Sequence, residues 1–428
     1  MFLHCLHSCY DQYMSPDANE RQASERDHKK LGKELELFYI DEVVGKGLPM
    51  WFPKGAALRR VLERFIVDEE IRRGYHHVYT PDIARLELYK KSGHYPHYKD
   101  SMYAPIKIED EEFMLRPMTC PHHFQLYLSK PRSYRELPLR IAEVAKLYRF
   151  EQSGELMGIQ RARSFCLSDA HIICASEEQA VEEMGGALDL IEYANGKLGL
   201  KFGEHYTYRL SLGDRKNTEK YYQDDAGWEK AERLLRELMK ARKVPFVEAK
   251  DEAAFYGPKI DVQMKNVNGK EDTAFTVQYD LCMPERFNLT YKGEDGKDHR
   301  VFVVHRSSIG ALERTIAFLI EHYAGAFPFW IAPVQVKVIP ISEKFLAYAK
   351  GVHQALIADD IRSELDGSNE TLGKKVRNAK LEKVPYWIVV GEKEVTEETV
   401  TLESREGTKE TIPKSDIQIR LRGVGLNK

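Results

Sequence analysis

An arginine-rich segment in the first half of the chain carries side chains suited to binding a nucleotide. It runs from Arg149 to Phe165, and Ser153 with Gly154 predicts a turn near its start, so we expect a hairpin. Arginine can hold a phosphate through two parallel hydrogen bonds, and a phenylalanine ring offers a flat face for a base. The glycine-rich P-loop and dinucleotide-binding motifs do not occur in the sequence. The hairpin therefore predicts a nucleoside triphosphate site, with a solvated surface hairpin as the open alternative.

A cysteine and two histidines form a second group that could do chemistry. Cys120 follows a Met118-Thr119 pair, His171 lies two residues after an aspartate, and His305 ends a predicted strand. One cysteine and two histidines make an acceptable ligand set for Zn²⁺ with one position left open for a substrate. The spacings are long and no C-x2-C pair accompanies them. A buried thiol with two packed histidines therefore remains the alternative.

Composition limits the class of protein. The chain has 428 residues, of which 43% are apolar, and a formal net charge of −3, so we expect two or three domains with full cores and no general coat of bound polyanion. No apolar run reaches the ~18 residues that a membrane helix needs, and the first residues make a poor signal peptide. Six scattered cysteines indicate a reducing compartment rather than a disulfide framework. These features predict a cytoplasmic protein without a membrane span.

The chain divides by composition into three segments. Residues 1–30 are polar, and we expect them to be disordered. Their four potential metal ligands are better explained by a frayed terminus than by a metal site: His4, Cys5, His7 and Cys9. Residues 31–333 form a long mixed α/β block. Residues 334–428 follow a proline-rich boundary and show a β-α-β-α-β order that predicts a small α/β domain with a parallel or mixed sheet.

Hydrophobic periodicity and turn residues place the main elements. In the long block we expect helices over 56–73, 177–198, 225–242 and 310–323, and strands over 78–80, 141–149, 164–174, 273–281, 287–291 and 300–305. In the last segment we expect strands over 334–341 and 386–390 and helices over 343–358 and 371–383.

Five stretches together resemble the catalytic core of the threonyl-tRNA synthetases, a family of class II aminoacyl-tRNA synthetases. They are residues 116–125, 137–174, 255–261, 276–280 and 304–314. The segment ending at Pro81 resembles motif 1, which forms the dimer in this family. The arginine-rich hairpin resembles motif 2, and the stretch from Gly310 to Arg314 resembles motif 3. The resemblance implies a homodimer, an antiparallel catalytic sheet flanked by helices (an α+β core), and a C-terminal α/β anticodon-binding domain.

The resemblance also implies roles for the residues of the hairpin and of motif 3. Arg149 would hold the α-phosphate of ATP, and Arg161 would bind the γ-phosphate, with Mg²⁺ neutralising the phosphates. Glu151 would accept a hydrogen bond from the adenine amino group. Phe165 and Arg314 would enclose the adenine ring between them.

For the amino acid, the resemblance implies one Zn²⁺ per chain, held by Cys120, His171 and His305. The amino and hydroxyl groups of threonine would complete the zinc shell, so valine would leave a position unfilled. Asp169 would accept a hydrogen bond from the threonine hydroxyl. Four further residues would line the amino-acid and phosphate pocket: Met118, Tyr256, Lys259 and Gln278. Of these, Lys259 would have a catalytic role, and Gln278 would also contact ATP.

In the C-terminal segment, the resemblance implies that Asn369 and Glu394 read anticodon bases. An arginine that helps to read the anticodon in the family is Glu403 here, and we expect Arg405 to take its place. Family members usually carry glycine or glutamine at four other positions of this sequence: His122, Ser164, Leu167 and Phe275. About 30 residues precede the core, so we expect a form without the N-terminal editing region.

The predicted function is the ATP-dependent ligation of threonine to tRNA(Thr) through a threonyl-adenylate. The alternative is a non-aminoacylating paralogue that binds a nucleotide or RNA. The intact ATP-contacting positions disfavour this alternative, and the changes at Leu167, Phe275 and Glu403 keep it open.

Overall fold

The computed structural model describes residues 24–267 and 269–426. These residues form two compact units. The large unit comprises residues 40–49 and 62–317, and the small unit comprises the described residues up to 39, residues 50–61 and those from 318 onward. The four potential metal ligands of the N-terminal segment, His4, Cys5, His7 and Cys9, lie outside the described residues. The domain boundary between residues 333 and 334 stays a prediction.

The strands and helices are numbered in chain order. The strands are β1 Phe38–Tyr39, β2 Met50–Trp51, β3 His76–His77, β4 Ile83–Arg85, β5 Ile106–Ile108, β6 Glu111–Leu115, β7 Leu139–Tyr148, β8 Ser164–Cys174, β9 Tyr206–Leu212, β10 Phe246–Lys250, β11 Lys259–Lys265, β12 Glu271–Asp280, β13 Thr290–Lys292, β14 Asp298–Arg300, β15 Phe302–Ala311, β16 Val336–Pro340, β17 Ser363–Leu365, β18 Tyr386–Val390, β19 Thr399–Ser404 and β20 Lys409–Pro413. The α-helices are α1 His28–Glu34, α2 Pro53–Arg72, α3 Leu86–Ser92, α4 His94–His97, α5 Cys120–Leu128, α6 Glu177–Lys197, α7 Asp225–Ala241, α8 Met283–Arg286, α9 Leu312–His322, α10 Leu346–Ala358, α11 Leu372–Leu381, α12 Glu392–Glu397 and α13 Ile417–Leu426.

The large unit is built on an eight-stranded sheet in the order β10-β9-β11-β12-β15-β8-β7-β3. The six central strands pair antiparallel, as the resemblance implies, while β10 on β9 and β3 on β7 add a parallel pair at each edge. Nearly every residue of β8 is buried, so the sheet is covered on both faces. Helix α6 packs against β8, β12 and β15. It starts where Ser176 Oγ accepts a hydrogen bond from the backbone N–H of Gln179 at 3.2 Å.

Strand β15 contains a bulge at its end. Ser307 pairs with Asp169 of β8 and Ala311 pairs with Leu167, so β15 advances four residues while β8 advances two. Gly310 lies in the bulge with a φ of 64°, and a Cβ there would lie 2.2 Å from the carbonyl oxygen of Ala274. Glycine is therefore required at this position, and the bulge leads directly into helix α9.

A buried ion pair joins helix α2 to β15 beneath this sheet. Arg306 Nη1 lies 2.7 Å from Glu70 Oε1, and both side chains are about 99% buried since their exposed fractions are 0% and 1%. Ser308 Oγ also donates to Glu70 at 2.6 Å. Burial alone would raise the pKa of Glu70, but Arg306, His77 and Ser308 outweigh it and hold the pKa below the ordinary 4.5.

Replacing Arg306 with methionine is expected to lower the free energy of unfolding by about 3–5 kcal/mol, because Glu70 would stay buried without its cation. Denaturant unfolding at pH 7 measures this loss. The pKa of Glu70 is depressed in the folded chain, so the pair stabilises above about pH 4.5 and its contribution disappears as the pH falls. The double variant Glu70→Gln, Arg306→Met should lose less than Arg306→Met alone. Equal losses would show that Glu70 is not the partner that matters.

The small unit contains a five-stranded sheet in the order β17-β16-β18-β19-β20. Strands β17, β16 and β18 are parallel, and β18, β19 and β20 are antiparallel, so the sheet is mixed, one of the two predicted forms. Strand β18 has the predicted bounds. Helix α10 starts three residues later than the predicted 343 because a 3₁₀ turn, Glu343–Phe345, precedes it.

The strand predicted over 287–291 starts too early. Residues 287–289 do not belong to it, because Phe287 caps helix α8 and Asn288 has a φ of 51°. Asp280 Oδ1 accepts from the backbone N–H groups of Cys282 and Met283 at 2.9 Å, which starts that helix. Within the described part of the chain, no helix is both long enough and apolar enough to cross a membrane.

Candidate active site

The predicted hairpin forms between β7 and β8. Tyr148 pairs with Ser164, and the backbone N–H of Arg149 donates to the carbonyl of Arg163 at 3.0 Å, which extends the ladder by one step. The Arg163 guanidinium lies 4.6 Å from the centre of the Phe150 ring and donates to the carbonyl of Glu151 at 3.0 Å. Arg163 therefore fixes the shape of the hairpin, and Arg149 leaves the strand beside Phe165.

The hairpin lines one side of a cavity of about 470 Å³, the hairpin cavity, with Arg149, Glu151, Arg161, Phe165 and Arg314 among its walls. The Arg149 guanidinium lies 5.2 Å from the centre of the Phe165 ring. Arg161 Nη2 lies 2.8 Å from Glu151 Oε2, so this cation already has one carboxylate partner. The structure thus brings together the five residues that the resemblance assigns to the nucleotide, with Gln278 as the exception.

Arg314 is held at the opposite wall of the hairpin cavity. Its Nη1 donates to the carbonyl of Thr273 at 2.5 Å and its Nε to the carbonyl of Gln160 at 3.1 Å. Burial lowers the pKa of Arg314, and repulsion from Arg149 lowers it further. A bound polyanion would offset the repulsion between Arg149 and Arg314, so the hairpin cavity is suited to phosphate.

The cysteine and the two histidines come together in a second cavity, the central cavity, of about 930 Å³. His171 of β8 and His305 of β15 are direct partners in the sheet, and Cys120 begins helix α5. All three are buried, and their candidate ligand atoms lie within 4.8 Å of one another. Residues separated by long stretches of sequence therefore converge because the sheet pairs β8 with β15.

Neighbouring side chains orient both imidazoles. His305 Nε2 lies 2.6 Å from Asp280 Oδ2, and His171 Nδ1 lies 2.8 Å from His123 Nδ1. The other nitrogen of each ring is thereby left for a metal. Sequence reasoning missed Asp280 and His123. The pleat could have indicated Asp280, since it lies two residues after Gln278 and so shares its face of the strand.

The charge state of the group suits a cation. Burial raises the pKa of the Cys120 thiol, and the carboxylates of Asp169 and Asp280 raise it further. Burial also lowers the pKa of His171, so this imidazole is neutral, which is the form that binds metals. Two imidazoles and one thiol that a cation would ionise form a donor set typical of Zn²⁺. The residues present therefore fit a zinc ion.

Asp169 lies at the next position toward the hairpin on the same face of β8. Burial raises the pKa of its carboxyl group, and Thr119 Oγ1 donates a hydrogen bond to it at 2.5 Å. Tyr256 covers the cavity from the other side, with its ring 4.8 Å from that of His305. Its hydroxyl donates to Gln278 Oε1.

A third cavity, the outer cavity, also measures about 930 Å³ and shares Met118, Tyr256 and Gln278 with the central cavity. Lys259 lies in its wall, where its ammonium contacts Asp261 at 2.5 Å. Gln278 lines the central and outer cavities, not the hairpin cavity that contains Phe165 and Arg314. Its predicted contact with ATP stays a prediction and would involve the phosphates rather than the base.

Arg149 lines all three cavities. Its guanidinium lies against Phe165 in the hairpin cavity, and its Nε donates to the carbonyl of Pro117 at 3.3 Å. A molecule with one end at Phe165 and the other at the cysteine and histidines would pass this guanidinium.

The chain matches known families along most of its length. Residues 103–323 match the family described as tRNA synthetase class II core domain (G, H, P, S and T), and residues 335–422 match the family described as anticodon binding domain. The solved structure of the RNA binding domain of threonyl-tRNA synthetase from Cryptosporidium parvum Iowa II is similar with a TM-score of 0.87 and 35% identity. The match covers 94% of this chain and 99% of that chain.

The chain belongs to the threonyl-tRNA synthetase family.

Curated relatives carry the same family name. A threonine–tRNA ligase from Geobacillus kaustophilus is 52% identical over 391 residues, which are 91% of this chain and 59% of that ligase. A threonine–tRNA ligase from Listeria monocytogenes is 50% identical over 393 residues, which are 92% of this chain and 61% of that ligase. The chain therefore spans less than two thirds of the length of these relatives.

Two departures from the usual synthetase pattern lie near the cavities. Leu167 lines both the hairpin and the central cavity, where the family usually has glutamine. Phe275 is fully buried, and its ring packs where Gly310 leaves space, since a Cβ at 310 would lie 3.0 Å from it. The first change replaces a polar wall with an apolar one, and the second is absorbed by the core.

The three residues predicted to read the anticodon lie in the small unit and differ in how free they are. Asn369 is exposed. Glu394 accepts hydrogen bonds from Gly391 N at 2.8 Å and Thr401 Oγ1 at 2.7 Å. Arg405 donates to the carbonyl of Lys383 at 2.9 Å. Asn369 is exposed, whereas Glu394 and Arg405 are half-buried. The roles of all three stay predictions.

Proposed function

We propose that the chain ligates threonine to tRNA(Thr) in two steps. Threonine and ATP form threonyl-adenylate and diphosphate, and the threonyl group then passes to tRNA(Thr) with release of AMP. The observation that supports this reaction is the position of Arg149 in the walls of all three cavities. An adenine against Phe165 and an amino acid at the cysteine–histidine group would place the reacting carboxylate and α-phosphate beside this arginine.

In this reaction, Arg149 stabilises charge. When a threonine carboxylate oxygen attacks the α-phosphorus, negative charge develops on the phosphate oxygens while the bond to diphosphate breaks. A guanidinium fixed beside these oxygens lowers the energy of the transition state more than that of bound ATP. Glu151 and Arg314 hold the base, and Arg161 with Mg²⁺ holds the outer phosphates. Lys259 at the outer cavity would steady the leaving diphosphate.

Cys120, His171 and His305 would hold Zn²⁺, which supplies coordination positions for an amino and a hydroxyl group when bound. Asp169 would accept the hydrogen bond of the threonine hydroxyl, and its buried carboxyl group is already oriented by Thr119. Three further residues shape the amino-acid pocket and exclude water: Met118, Tyr256 and Gln278.

The small unit would bind the anticodon stem of tRNA(Thr), with Asn369, Glu394 and Arg405 at the bases. Two copies of the chain would form a homodimer through the segment around Pro81, where the side chain of Tyr79 is 95% exposed. The protein would act in the cytoplasm.

ATP–diphosphate exchange with and without threonine tests the activity. Exchange that depends on threonine, followed by charging of tRNA(Thr), is the expected result. A paralogue that only binds nucleotide or RNA would bind ATP without exchange, and that result would refute the proposed function.

Serine and valine are expected to differ sharply in kcat/KM as substrates. Serine offers the same amino and hydroxyl groups and lacks one methyl, which costs about 10–200-fold in kcat/KM. Valine lacks the hydroxyl, so its kcat/KM should fall by about 10⁴-fold or more because polar groups of the site would stay unpaired. The exchange assay with each amino acid gives the ratios. Activation of valine at or above the rate of serine would contradict selection through the hydroxyl group.

A further inference from the structure

The central cavity contains a buried hydroxyl group without a hydrogen-bond partner. It belongs to Ser307 of β15, whose exposed fraction is 6%, and its Oγ contacts no donor or acceptor among the described residues. Buried polar atoms are nearly always paired, since leaving one unpaired destabilises a protein. The neighbouring hydroxyl of Ser308 follows this rule, because it bonds to both Glu70 and Ser168.

The pleat of β15 turns Ser307 toward the cavity. Alternate side chains of a strand point to opposite faces. Arg306 points to the face of Glu70 and Tyr75, where its guanidinium lies 4.2 Å from the centre of the Tyr75 ring. His305 and Ser307 therefore share the other face, and both line the central cavity. A serine hydroxyl can rotate among three staggered positions about its Cα–Cβ bond, so it can meet a ligand there.

Strand β8 gives the order of groups along the site. Its cavity-facing residues run from His171 through Asp169 and Leu167 to Phe165, about 6.6 Å apart at each step. Ser307 pairs with Asp169, so it lies one step from the cysteine–histidine group on the way to the nucleotide end. A substrate carboxylate has to lie between these two ends if it is to attack an α-phosphate.

The next cavity-facing residue of β8 after Asp169 is Leu167, which has no polar group that could bind the substrate carboxylate. Asp169 cannot serve it either, since a carboxylate repels another carboxylate. We propose that Ser307 binds the amino-acid substrate, and that its hydroxyl donates a hydrogen bond to the substrate carboxylate. This inference rests on the proposed function, and it concerns one hydroxyl that the roles assigned above leave unused.

The test compares Ser307→Ala with Ser308→Ala, two neighbouring serines that undergo the same chemical change. Ser307→Ala should raise KM for threonine in the exchange assay about 10- to 100-fold, the range for losing a hydrogen bond to a charged group, with KM for ATP unchanged. Its Tm should not fall, because no bond of the free protein is lost. Ser308→Ala should show the opposite pattern, a lower Tm with KM for threonine unchanged.

Threoninol, which lacks the carboxylate, identifies the group that Ser307 contacts. The inhibition constant of threoninol should change less than twofold in Ser307→Ala, while KM for threonine rises. An equal loss for both compounds would overturn the assignment to the carboxylate. An unchanged KM for threonine in Ser307→Ala would overturn the inference and leave the proposed function standing. An absence of threonine-dependent exchange in the unaltered protein would overturn both.

Discussion

Replacing Arg149 with alanine is expected to slow threonyl-adenylate formation by about 10²–10³-fold, the usual loss when one group that stabilises transition-state charge is removed. KM for ATP should rise much less, because Arg314, Arg161 and Phe165 still bind the nucleotide. Single-turnover kinetics with saturating ATP and threonine measure the chemical step directly. The rate of Arg149→Lys should lie between those of the unaltered protein and Arg149→Ala, since an ammonium keeps the charge and loses the two-pronged geometry.

A matched control lies in the same hairpin. Arg163 stacks on Phe150 and contacts the backbone of Glu151, but it does not line the three cavities. Arg163→Ala should therefore cost less than about tenfold in rate. If Arg149→Ala changed only KM for ATP and left kcat intact, Arg149 would be a binder of ground-state ATP and not a catalytic residue.

Purified protein is expected to contain about one zinc ion per chain, and Cys120→Ser should lose most of it together with threonine activation. A serine hydroxyl does not ionise in a buried site, so it cannot replace the thiolate. Atomic absorption gives the zinc content without depending on activity. Cys174→Ser is the control, since Cys174 is also a buried free cysteine but lies outside the metal group. Full zinc content in the His171→Ala, His305→Ala double variant would refute the site.

The strands that carry the site could be predicted because each has a strong local signal. Strand β8 has the predicted bounds, and β7 differs by two residues at one end and one at the other. The apolar runs in both strands end at polar turns, and these signals need no knowledge of the rest of the chain. The short edge strand β3 lies at residues 76–77 rather than 78–80, because its partner β7 fixes where it pairs.

Contacts that depend on strand register could not be read from the sequence. Asp280 meets His305 because β12 and β15 pair with Gln278 opposite His305, a register that no short pattern specifies. Side-chain direction was also beyond the sequence in the small unit. The prediction for Arg405 rests on its closeness to Glu403 in the chain, whereas its guanidinium donates to backbone carbonyls. The sequence indicates which side chains are available, while pairing and direction decide which of them meet.

The bulge in β15 fixes how helix α9 is rotated relative to the strand, and so how the two ends of the site are oriented to each other. His305 and Ser307 precede it, and Arg314 follows it on helix α9. One residue more or fewer at positions 308–310 would turn that helix by about 100° and carry Arg314 away from the hairpin cavity. The residues before the bulge would keep their places, because their partners on β8 lie upstream of the change. Insertions and deletions here would therefore uncouple the nucleotide end from the amino-acid end, whereas those in most strands would disturb both together.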